Sequence, residues 1–183
     1  MKNPSAIKLY AIYTTLMLGM LIVLNISPIP QDLEYHNFAD QRQIIGIPHL
    51  WNVISNLPFL VVSYIAVSHL LQEGVLIYPQ KLFNCYLVFF IAIGTVGIGS
   101  AYYHLHPTNE TLFWDRLPMT VGFMAFIAII LGEFISEKIA LRLMIPLVLI
   151  GTSSDIYWYF TEQAGRGDLR FYGLVQFLPM LII

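Results

Sequence analysis

Ser100 and His104 close a long apolar run, in the stretch GSAYYHLH (99–106), and Asp115 follows shortly after in WDRLPM (114–119). On a helix, residues four apart sit one above the other, so Ser100 and His104 share a face. A neutral imidazole is a good zinc ligand. A carboxylate beside it can orient the ring, act as a general base or bind the metal. A serine one turn away can hydrogen-bond a developing oxyanion. The same three residue types also suggest a nucleophile triad, but nothing else in the chain resembles a nucleophile elbow. Each residue has a plain structural role as well. The histidine could be a helix-end interface residue, the aspartate a first-turn acid favoured by the helix dipole, and the serine a partner for its own backbone.

Other polar residues are weaker candidates. Asn52, Ser55 and Asn56 share a helical face, and His49 opens that segment. Asp155 is an acid inside an apolar run, which by itself raises a functional hypothesis. His36, His69 and His106 read as incidental loop or helix-end residues. Glu133, Glu137 and Lys138 read as a solvated flank. Asn109-Glu110-Thr111 fits a glycosylation sequon, a pattern frequent by chance.

The elements that must position these groups are membrane helices. The chain is 57% hydrophobic and only 11% charged, against roughly 25% charged in a soluble domain. Five apolar segments, about 20 residues each, suit a bilayer: Ile7–Ile26, Pro48–Leu71, Leu82–His104, Trp114–Ile135 and Ile139–Phe160. A sixth begins near Phe171 and stops at Ile183, after about 13 residues, too short to span. The expected fold is all-α: a polytopic transmembrane bundle of five full spans plus a truncated sixth, in one membrane domain over 1–183. Residues 1–27 read as a signal anchor, because the apolar core exceeds a signal-peptide h-region and no A-x-A site follows. Residues 48–183 are expected to form an incomplete bundle.

Alternating helices bring particular ends to one membrane face. The start of the second segment, the end of the third and the start of the fourth meet there, and Ser100, His104 and Asp115 meet with them. Gly94, Thr95, Gly97, Gly99 and Ala101 let the third segment pack closely. Lys2, Lys8, Lys81, Lys138 and Arg142 in the flanks on one side, against Arg42, Arg116, Arg166 and Arg170 on the other, lean towards a cytoplasmic N-terminus, which puts the polar cluster near the outer face. No basic patch exists, so a nucleic-acid partner is not expected. The single cysteine, Cys85, excludes an intrachain disulfide and a cysteine-based zinc cluster.

LWNVISNLPF (50–59), GIGSAYYH (97–104) and DRLPM (115–119) follow one another in an order that resembles the alkaline ceramidase family. DLRFYGLVQFLPML (168–181) resembles the bacterial branch of that group, which implies a multi-pass protein of a bacterial inner membrane. The resemblance implies a seven-helix fold with a zinc site near one membrane face. It makes His104 a zinc ligand, Ser100 the oxyanion donor and Asp115 the support of a zinc-bound water. The substrate would be ceramide or a related N-acyl membrane lipid, cleaved to a fatty acid and a sphingoid base. Arg116 departs from the pattern, standing where many members have glutamate. The family's H-x-x-x-H pair is absent, so one of three zinc ligands is present and the 183-residue chain alone is expected to be inactive. His49 replaces an expected glutamate and Asp40 is at most a remnant of an acidic cluster, which leaves the family's calcium site in doubt. The alternatives are a receptor-like protein of the same superfamily, such as the adiponectin-type receptors, and a structural membrane protein without hydrolase activity.

Overall fold

The computed structural model describes residues 4–72 and 80–182. The chain forms helices α1 (Pro4–Asn25), α2 (Leu50–Ile54), α3 (Leu57–Leu70), α4 (Phe83–Leu105), α5 (Asn109–Phe134), α6 (Glu137–Gln163) and α7 (Arg170–Ile182). Among the described residues, five stretches are long and apolar enough to cross a membrane: α1, α2 with α3, α4, α5 and α6. Among the described residues the only strands are a two-residue hairpin, β1 (Gln43–Ile44) with β2 (Ile47–Pro48), in the connection between α1 and α2. The protein is therefore an all-α membrane-type bundle.

α5 is the centre of the bundle, with α4 on one side and α6 on the other; α3 packs on α4, and α7 packs on α5, α6 and α1. Half of the apolar window of α5 is buried inside the protein, more than in any other span. Met124, Ile127, Ala128 and Leu131 of α5 join Leu82, Cys85 and Ala140 in one core cluster. A second cluster, Tyr103, Leu112 and Trp158, closes the opposite end, where α4 finishes and α5 starts. The outer faces carry Leu21, Tyr64, Ile98, Ile145, Leu149 and Phe160, all exposed. In water such faces would be costly; hydrocarbon suits them.

Two details differ from the expectation, and a third adds to it. The second apolar segment is broken rather than continuous. Pro58 lies in the first turn of α3, and a proline deeper in one unbroken helix would clash with the preceding turn. The fourth segment begins at Asn109, well before Trp114. Thr108 caps it: its hydroxyl accepts from the Thr111 amide, and the Thr111 hydroxyl accepts in return from the Thr108 amide. The sixth segment is short, yet it is integrated, with Tyr172, Val175 and Leu178 buried against its neighbours.

The ends of α1 and α7 are tied together. Arg170 forms an ion pair with Asp168 at 2.7 Å and donates to the carbonyls of Val23 (3.2 Å) and Ile26 (2.5 Å). Those carbonyls belong to the last turn of α1 and the residue after it, where no helical amide follows to bond them. The Arg170 guanidinium holds the Asp168 carboxyl below the usual carboxylate range. Leu169 donates its amide to Ile29 at 2.8 Å, fixing the strap that runs from α1 over the bundle end.

Candidate active site

Two close backbone approaches set the positions of Ser100 and His104. At Gly97 a side chain would meet the Asn56 carbonyl and Phe59 of α3, both at 3.1 Å. At Gly99 a side chain would run into the Trp114 carbonyl of α5. Pro118, four residues after Trp114, has no amide to give that carbonyl, so α4 lies against an oxygen that the helix leaves free. Clasped between α3 and α5, α4 turns Ser100 and His104 towards α5 and α7.

There Ser100, His104 and Asp115 line one cavity of about 470 Å³, together with Arg116, Tyr172 and Gln176. Tyr35 and Phe38, from the strap after α1, cover it. The Ser100 side chain stands beside the Asp115 carboxylate and interacts with it. The histidine has no such partner. The Nδ1 of His104 is buried and makes no hydrogen bond; the ring is held by Phe38 and Tyr103, at centroid distances of 4.7 and 5.4 Å. The carboxylate therefore sits with the serine rather than orienting the imidazole. Asp115 also lies in the second turn of α5, because the helix starts at Asn109. It is beyond the first turn, where dipole stabilisation is felt.

The remaining polar residues sort differently. Ser55 donates to the Asn52 carbonyl at 2.7 Å and Asn56 donates to the same carbonyl at 2.8 Å. Both satisfy backbone at the α2–α3 break and do not line the cavity. His49 donates from Nδ1 to the Asp40 carbonyl at 2.5 Å and shares the Phe38 ring with His104, 5.2 Å from its centroid. His69 bonds its own helix at Ile65, and His106 caps α4 with its backbone. His36 is not incidental: its Nε2 donates to Asn109 Oδ1 and its Nδ1 accepts from the Tyr103 hydroxyl, each at 2.9 Å. It pins the strap to the end of α4 and the start of α5, and the sequon asparagine serves as its partner. No local pattern marks this role, since the three residues meet only through the fold.

Asp155 is fully buried and neither carboxylate oxygen has a partner. It lies within electrostatic reach of Arg116 and Asp115. Arg116, which the sequence places among the flanking cations, is instead 8% exposed. On the far side of the α4–α5 contact is a larger groove of about 590 Å³, lined by Ile91, Ile98, Tyr102, Trp114 and Leu117 among others. Its described lining residues include no His, Asp, Glu, Lys or Arg.

Among the described residues, no three His, Cys, Asp or Glu side chains come together as a metal-holding group. His104 offers one open ligand nitrogen, and a catalytic zinc normally takes three protein ligands. The described residues do not complete a zinc centre.

A family model described as Ceramidase matches residues 44–181. No curated protein and no solved structure matches the chain. The matched region contains α2 to α6, nearly all of α7, and every side chain of the cavity except those of the strap. It supports a ceramidase-like hydrolase of an amide bond, with a lipid substrate such as ceramide. Because the match extends over most of its length, the chain belongs to the Ceramidase family.

Proposed function

We propose that this protein hydrolyses the amide bond of ceramide or a related N-acyl lipid at the bundle end where α4 finishes and α5 starts. The observation that carries the reading is the convergence of Ser100, His104 and Asp115 on one cavity, with the His104 Nδ1 buried and unpartnered. Ser100 donates a hydrogen bond to the amide carbonyl oxygen as that oxygen gains charge. Asp115 takes a proton from the attacking water and returns it to the leaving nitrogen. The C–N bond breaks, and a fatty acid and a long-chain amine leave. His104 keeps a lone pair open as a ligand for zinc. Zinc bound there would supply Lewis-acid polarisation of the carbonyl and acidify a water. With one ligand among the described residues, the 183-residue chain by itself is expected to show no turnover. The accompanying reading of topology is a bacterial inner-membrane protein, with α1 as a signal anchor, its N-terminus cytoplasmic and the cavity near the outer face.

The test is fatty-acid release from a fluorescent N-acyl sphingoid lipid by detergent-solubilised protein expressed from its whole reading frame. Zinc content is measured on the same sample by atomic emission. His104→Ala is expected to abolish hydrolysis and zinc retention together. Undiminished hydrolysis in that variant sinks the reading.

A further inference from the structure

We infer that Arg116 is a specificity-determining residue of this cavity: its free Nη1 takes a hydroxyl oxygen of the lipid head group, so the site selects N-acyl lipids hydroxylated close to the amide. The inference rests on the reading of the cavity as the seat of an N-acyl lipid.

Arg116 is held unusually firmly for a long cation. Its guanidinium carbon lies 4.4 Å from the Trp158 ring centroid, 4.9 Å from that of Tyr172 and 5.8 Å from that of Tyr35. Its Nη2 donates to Gln31 Oε1 at 2.8 Å. Gln31 is itself buried, and its backbone amide donates to Glu162 Oε2 at 3.0 Å. Stacking and one hydrogen bond thus fix the guanidinium plane. One end is left over: Nη1 is buried, has no partner, and belongs to a residue that lines the cavity with Ser100, His104 and Asp115.

Nη1 lacks an acceptor rather than a counter-charge. Asp115 and Asp155 are already within electrostatic reach of Arg116, although neither forms an ion pair with it among the described residues. A buried donor left without an acceptor is costly. A lipid with an oxygen in the right place supplies the acceptor; one without it leaves Nη1 unpaired. Sites of this kind reject the analogue lacking the polar group strongly, whereas purely apolar pockets discriminate weakly. The oxygen must lie within a few bonds of the amide, since Arg116 directly follows Asp115 and shares its cavity.

The experiment compares two N-acyl lipids of equal chain length, one built on a long-chain amino-diol and one on the plain long-chain amine. Binding to the full-length protein in nanodiscs is read by native mass spectrometry. The wild type is expected to bind the diol lipid at least about tenfold more tightly. Arg116→Gln is expected to bind both alike. Because that change removes the cation within electrostatic reach of Asp155, the double variant Arg116→Gln/Asp155→Asn, which replaces both ionisable side chains by neutral amides, decides the matter if the single variant loses helicity. Equal binding of the two lipids by the wild type overturns the proposal. So does a preference that survives in the double variant. Fatty-acid release in the same samples separates this idea from the hydrolase reading. Preference without hydrolysis leaves the role of Arg116 standing and removes the hydrolase. Hydrolysis without preference does the reverse.

Discussion

At the scale of the residue, the candidate side chains divide by whether their bonds are met. His104 Nδ1, Arg116 Nη1 and both Asp155 oxygens are buried without partners, in a protein where buried polar groups are normally satisfied. Ser55 and Asn56 look equally polar in the sequence but spend their bonds on their own backbone. Ser100 does not: its neighbour is the Asp115 carboxylate. Ser100→Ala is therefore expected to lower kcat by about 10²–10³, the loss typical of one oxyanion donor, with little change in KM. A steady-state comparison on a fluorescent N-acyl sphingoid lipid measures it; an unchanged kcat would reduce Ser100 to a packing residue. The i, i+4 spacing made the Ser100–His104 pair legible in advance, because helix geometry alone puts them on one face. Arg116 was illegible. An arginine two residues after a tryptophan at the start of an apolar run reads as a flank charge, and only the stack of Trp158, Tyr172 and Tyr35 buries it.

At the scale of the element, the tighter of the two contacts that align the cavity residues is the one with α5. α4 reaches α5 where Gly99 faces the Trp114 carbonyl, the oxygen that Pro118 leaves without a helical partner. A side chain at this point meets backbone, which cannot rotate away. Gly99→Val is expected to push α4 from α5 and to cost about 1–3 kcal/mol, the usual penalty of overpacking. Thermal unfolding in detergent, followed by circular dichroism, checks the cost. The same variant should lose hydrolysis, because Ser100 would no longer stand beside Asp115. A melting temperature equal to wild type would mean that the helices part freely and that the contact sets nothing. The small residues of α4 pointed to close packing, but not to which helix each one meets. The start of α5 was misread for a physical reason: Thr108 and Thr111 cap a helix whose first turns are polar, and hydropathy registers a span only where apolar residues begin.

At the scale of the whole molecule, the strap between α1 and α2 partly covers the cavity at the bundle end with Tyr35 and Phe38. His36 holds it at one point and Arg170, through the last turn of α1, at another. The Asp168–Arg170 pair orients that second hold. With its folded pKa lowered by Arg170, the Asp168 carboxylate contributes stability that is fully present above its unfolded value of about 3.9. That contribution is lost only as pH falls below this value and through the lowered folded one. Hydrogen exchange of residues 20–30 is expected to stay slow from neutral pH down to about pH 4. Asp168→Asn should speed it at neutral pH. Equal exchange in that variant would show that Arg170 holds α1 unaided.

The sequence by itself determined the class of molecule and brought three candidate residues to one level of the bundle. Apolar length demands membrane-type helices, since hydrocarbon fixes how many residues a span needs, and helical periodicity puts Ser100 over His104. Even the alternation of helix ends, which carries Asp115 to the same level, follows from counting spans. Tertiary structure alone decided what surrounds those three residues. Arg116 turns inward because three aromatic faces from separate elements receive it. His36 becomes a clamp because Tyr103 and Asn109 converge on it, and Asp155 is stranded because α6 packs against α5. Each of these depends on residues far apart in the chain meeting at one point, and periodicity, which is local, carries no record of such meetings.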